Sequence, residues 1–157
     1  MLKFEHLIGR PFAWGVTDCA ALLRQFYLDN YSIELTDYAR PTYWDSNTID
    51  IIRAIYEREG FTMIPRDEMK AKDLRVGDIA CVAVGSPVPN HFAIYVGDNT
   101  IVHHKANTFS SSELFRDFWR NQTSFYLRHP LVPDSTIKYP DVDIGDLIRA
   151  GQVFTGR

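Results

Sequence analysis

The sequence predicts an α+β fold with N-terminal helices packed on a central antiparallel sheet. Three observations lead there. Early apolar residues recur at helical spacing, as in Ala20, Leu23, Phe26 and Tyr27 and again in Ile49, Ile52, Ile55 and Tyr56. After Asp73 the period shortens to two, with turn residues between short apolar runs. A chain of 157 residues, 45% hydrophobic and 13% aromatic, can bury a core without disulfide staples. Helices first and hairpin-linked strands later make segregated layers, not βαβ units.

Taken in order, Leu2 to Ile8 reads as a short helix stopped by Gly9 and Pro11. Phe12 to Asp18 is a loop. A helix runs from Cys19 to about Asn30, capped by Thr17 or Asp18. Residues 31–45 are mixed, with Tyr38, Tyr43 and Trp44 around Pro41. Ser46 caps a second helix that Gly60 ends; Asp50, Arg53, Glu57, Arg58 and Glu59 form its solvated face. Strands follow at Ile79 to Val84, around Phe92, Ile94 and Val96, and at Ile101 to His104, with a turn at Gly97-Asp98-Asn99. Residues 112–120 read as helix and Ser124 to Arg128 as strand. Beyond Pro130 come Pro133 and Pro140 and an acidic run at Asp141, Asp143 and Asp146. This divides the chain into a domain over 1–130 and an extended arm, a docking segment, over 131–157.

Composition excludes several classes. With 17 basic against 20 acidic residues the net charge is −3, which argues against a protein that coats nucleic acid. Cys19 and Cys81 are too few for a disulfide scaffold or a four-cysteine zinc site. No apolar run is long enough to span a membrane, and none at the N-terminus suits a signal peptide, so a soluble chain made in a cytoplasm is expected.

The informative cysteine is Cys19, next to Asp18 at a helix entrance. The positive end of the helix dipole there is expected to lower the thiol pKa. Cys19 also fits a small buried residue on an amphipathic helix. Three histidines, His91, His103 and His104, fall on one hairpin. A three-residue turn sets Ala93 opposite His103, so His91 and His103 share a face as diagonal neighbours roughly 7–8 Å apart. A four-residue turn puts His104 there instead. A thiol nucleophile needs such a base, and the base needs an orienting partner. Adjacent His103 and His104 point apart, and no third ligand stands at metal spacing, so neither metal nor cofactor is expected. Cys81, in an apolar strand, reads as buried and without a role.

Together, four stretches resemble a known family: Pro11-Phe12-Ala13-Trp14-Gly15-Val16-Thr17-Asp18-Cys19, Val76-Gly77-Asp78-Ile79, Asn90-His91-Phe92-Ala93-Ile94-Tyr95-Val96-Gly97-Asp98, and Ile101-Val102-His103-His104. The pattern is similar to the NlpC-type papain-like cysteine peptidases of bacterial cell walls, in the version found in tailed-phage tail-assembly proteins, where a Ser-rich stretch such as Ser110-Ser111-Ser112 follows. The likeness covers about residues 8 to 130. It implies a papain-like fold with the nucleophile at a helix N-terminus: Cys19 as nucleophile, His91 as general base and His103 as the group that orients it. Phe12 stands where the family often has a tyrosine, and Ala20 where a serine usually follows the nucleophile. Phe12, Trp14 and Tyr95 are candidates to contact substrate, as is Trp44.

The resemblance further implies hydrolysis of peptidoglycan stem peptides, usually between D-γ-glutamate and a diamino acid. The expected setting is a virion tail tip, in assembly or in local wall degradation during genome delivery, with other tail-tip proteins as partners. The competing readings are a structural tail-tip component with a vestigial site, and a related cysteine amidase or acyltransferase.

Overall fold

Helix α1 (Cys19–Tyr31) organises the N-terminal half of the computed structural model, which describes residues 1–40, 50–135, 148, 149 and 151. Asp18 caps the helix, and Ser32, in the left-handed region at φ 55°, ends it by donating its N–H to the carbonyls of Tyr27 and Leu28. The expected first helix is a single 3-10 turn, Glu5–Leu7. The reason is tertiary: Gly9 N–H donates to the Ser110 carbonyl, Arg10 N–H to Ser110 Oγ, and Ser110 Oγ–H to the Leu7 carbonyl. These bonds draw the chain away from the helical path after Leu7, through an extended Ile8 and a left-handed Gly9 at φ 80°.

Helix α2 (Ile51–Ile55) is shorter than expected and is capped by Asp50, whose side chain accepts from Arg53 N–H. Ser46, Tyr43 and Trp44 lie outside the described residues. Glu59, expected on a solvated face, instead accepts from Thr36 N–H and Tyr38 Oη–H and so ties down the segment after α1.

The six strands are β1 (Thr62–Pro65), β2 (Ile79–Val82), β3 (His91–Gly97), β4 (Thr100–His103), β5 (Ser111–Leu114) and β6 (Thr123–Arg128). They form one antiparallel sheet in the order β1-β6-β2-β3-β4-β5. Two corrections follow. The stretch expected to be helical over 112–120 holds strand β5 and then a short helix α3 (Phe118–Gln122). And β1, an edge strand, was not expected.

The pleat sorts the sheet into two faces. Ile79, Cys81, Phe92, Ile94, Val102, Phe125 and Leu127 face α1 and pack on its buried Leu22, Leu23, Phe26 and Tyr27. Ala80, Val82, Ala93, Ile101 and Tyr126 face away and are covered by Phe115 and Trp119. Gly77, at φ 96°, leads into β2. A side chain there would meet Tyr31 Oη at 2.8 Å, which explains the glycine. Past Pro130, Val132 packs on the α1-side core and Ser135 Oγ accepts from Val76 N–H. The rest of the expected arm, residues 136–157, lies outside the described residues apart from 148, 149 and 151. Among the described residues, no helix is long and apolar enough to cross a membrane.

Candidate active site

Cys19 is the first residue of α1, and its position is set by Asp18. That carboxylate accepts from Ala21 N–H at 2.9 Å and from Gly15 N–H at 3.0 Å, fixing both the helix start and the loop before it. Arg40 grips it from the other side, with Nε 2.8 Å from Oδ2 and Nη2 3.1 Å from Oδ1. The two side chains are only 1% and 7% exposed, so this is a buried bidentate ion pair one residue from the thiol.

The hairpin brings in the imidazoles. Asp98 and Asn99 both adopt positive φ, 46° and 55°, as a two-residue hairpin turn demands. A register shift between Tyr95 and Gly97 absorbs one extra residue, and Ala93 pairs with His103. His91 and His103 are therefore diagonal neighbours on one face, and His91 Nε2 lies 3.0 Å from His103 Nδ1. Both rings stand against Trp119, at centroid distances of 5.8 Å and 4.5 Å. His104 points to the other face, with Nε2 3.1 Å from the Thr108 carbonyl and its ring edge-on to Phe12.

His91 and His103 occupy the sheet face away from α1, whereas Cys19 belongs to the α1 side. Cys19 and His91 nevertheless come to one cavity because each begins its element. Cys19, His91, Phe12, Trp14, Asn90 and His104 line one small cavity at the end of β3. The N–H groups of Phe92 and Ala20 face the sulfur. Asn90 fixes the approach to β3: its side chain accepts from Val84 N–H and donates to the Val84 carbonyl. Tyr95 lies elsewhere; it packs on Phe115 and its hydroxyl accepts from Asn99 N–H. Trp44 is outside the described residues. A larger apolar cavity is lined by Leu23, Leu35, Ile52 and Phe61, but neither Cys19 nor His91 reaches it.

The electrostatics reverse one expectation. The Cys19 thiol is not lowered: burial, reinforced by the Asp18 carboxylate, pushes it up to about 12. The N–H of Phe92, Arg40 and the N–H of Ala20 pull the other way and lose. Burial likewise pushes His91 down to about 3, helped by His103 and Lys105. The cavity is thus lined at neutral pH by a neutral thiol and a neutral imidazole. His91 Nε2 is engaged with His103, which leaves Nδ1 as the ring nitrogen outside that contact.

A stability consequence follows. Unfolded, the His91 ring binds a proton near 6.5; folded, it does so only near 3. Between those values the unfolded chain holds more protons, so stability falls as pH drops from 6.5 towards 3. At about 1.4 kcal/mol per unit the effect is on the order of a few kcal/mol. Melting temperatures measured from pH 7.5 to 4 are expected to fall steeply, and His91→Gln is expected to flatten that slope.

Two residues of this neighbourhood were not foreseen. Arg40 carries no motif. Glu113 lies within the stretch read as helix, yet its Oε1 stands 3.2 Å from His103 Nε2 and 2.6 Å from Lys105 Nζ. Cys81 is fully buried in β2, as expected.

Residues 9–128 match the model of the NlpC/P60 family. The tail tip assembly protein K of Escherichia phage lambda is 36% identical over 124 residues, which is 79% of this chain and 59% of that protein. Its namesake from Escherichia phage N15 is 24% identical over 125 residues, 78% of this chain and 49% of that protein. The chain thus spans about half to three-fifths of these relatives. Among solved structures, the NlpC/p60 domain of the peptidoglycan hydrolase SagA aligns over 78% of this chain and 90% of its own, with 19% identity and a TM-score of 0.46.

Proposed function

The chain belongs to the NlpC/P60 family of cysteine peptidases and hydrolases, and from that membership we propose that it hydrolyses peptidoglycan stem peptides through Cys19, His91 and His103. The observation that carries this reading is the cavity that Cys19 and His91 share, with His103 hydrogen-bonded behind the base. Cys19 Sγ attacks the amide carbonyl carbon while its proton passes to His91 Nδ1. N–H groups at the start of α1 stabilise the oxyanion. His91 returns the proton to the leaving amine, the C–N bond breaks, and a thioester remains. Water, deprotonated by His91, then attacks the thioester and frees the acid and the thiol. Phe12 and Trp14, on the cavity wall, are the aromatic surface against which a peptide would lie.

The likeness to two tail tip assembly proteins supports a place at a phage tail tip, where the substrate is the host wall and the partners are other tail-tip proteins. Digestion of disaccharide-tetrapeptide muropeptides by the full chain, followed by mass spectrometry, tests the chemistry. A new amino-terminal diamino acid is the expected product. A freed lactoyl group would identify an amidase instead.

A further inference from the structure

We propose that Glu113 is a positioning residue that fixes the proton arrangement of the two histidines, so that His91 presents a bare Nδ1 to Cys19. This rests on the catalytic reading above. His103 Nε2 is buried and, among the described residues, has no well-aligned hydrogen-bond partner; Glu113 Oε1 stands 3.2 Å from it, off the ideal line. A carboxylate so close to a buried ring nitrogen repels a lone pair and attracts a proton. The proton of neutral His103 therefore sits on Nε2, and its Nδ1 carries the lone pair. That Nδ1 is 3.0 Å from His91 Nε2, which must then be the donor. The proton of His91 is thereby held on the side away from the cavity.

Glu113 is itself held in place. It pairs with Ile101 across β4 and β5, two residues from His103 on the same face. Trp119 Nε1–H donates to its Oε2 at 3.1 Å, and Lys105 Nζ donates to its Oε1. Those bonds, the one from Lys105 foremost, and the nearby His103 ring keep its carboxyl ionised, down at about 2 despite partial burial. The groups facing the two rings are thus Glu113 and Lys105 from β5 and the segment after β4, His104 from the far face, and Trp119 from α3.

Nitrogen-15 imidazole spectra of the full chain at neutral pH read the arrangement directly. The expected wild-type pattern is Nε2–H on both rings. In Glu113→Gln the charge that attracts a proton to His103 Nε2 is gone, while Lys105, left without its carboxylate partner, stays near the ring and favours a lone pair there. His103 is then expected to change to the Nδ1–H form and His91 with it. Alkylation of Cys19 by iodoacetamide, followed by peptide mapping, is expected to slow about tenfold or more. That is less than the roughly 10⁴-fold cost of a wrong tautomer when the base's direct partner is changed. Glu113→Asp, which keeps the charge, is expected to recover part of the rate. A wild-type His103 with its proton on Nδ1 overturns the proposal whether or not any variant folds. So does a folded Glu113→Gln with unchanged spectra and alkylation. If no muropeptide is cut but the spectra respond as stated, the positioning stands and only the substrate reading fails.

Discussion

Cys19→Ala is expected to lower muropeptide hydrolysis by on the order of 10⁴-fold or more, because no other group in the cavity can form the thioester. The fold should survive. Cys19 is 5% exposed and packs in the α1-side core, so loss of one sulfur costs about 1 kcal/mol. The comparison to make is product formation by mass spectrometry beside the melting temperature. A variant that melts near the wild type and still cuts muropeptides would remove Cys19 from the chemistry. Were that variant also fully competent in tail assembly and infection, the domain's contribution would be structural rather than enzymatic.

The second large effect is on stability. Arg40→Met leaves the Asp18 carboxylate, 1% exposed, without its cation. Breaking a buried pair from one side costs about 3–5 kcal/mol, a large part of the roughly 5–15 kcal/mol that holds a domain together. The thiol is also affected. Asp18 raises its pKa and Arg40 lowers it, so removing Arg40 alone makes thiolate formation harder still. Urea melts should show the loss, and iodoacetamide should modify Cys19 more slowly. Adding Asp18→Asn to Arg40→Met removes the stranded charge and keeps an oxygen for the helix cap, so the double variant is expected to be more stable than Arg40→Met alone. Equal melts for the single and double variants would mean that solvent or another cation already serves Asp18.

The parts legible in the sequence were those set by local rules. The apolar spacing after Asp18 gave α1, and the Gly97-Asp98-Asn99 turn gave the β3–β4 hairpin but left His103 and His104 both open as the partner of His91, a choice made by the register shift between Tyr95 and Gly97. What stayed hidden depended on distant partners. Strand β5 reads Ser-Ser-Glu-Leu, too polar for a strand signal, because it is an edge whose pairing comes from β4 alone. Strand β1 is the other edge and ends in Pro65, a residue that argues against a strand anywhere but an edge. Glu113 becomes meaningful only once the β4–β5 register sets it beside His103. The thiol expectation failed for a quantitative reason: a helix N-terminus acts through partial charges, whereas full burial removes the solvation of a whole one.

The seam at Ser110 bears on when the protein completes its fold. Its hydroxyl reaches the Leu7 carbonyl across 103 positions of chain, and its backbone closes onto Gly9 and Arg10. Contacts of such range are late and slow to close. Cys19 therefore leaves the ribosome well before His91 and His103, and the seam can close only once Ser110 has followed them. The cavity that Cys19 shares with His91 is thus completed late, by chain made after both residues.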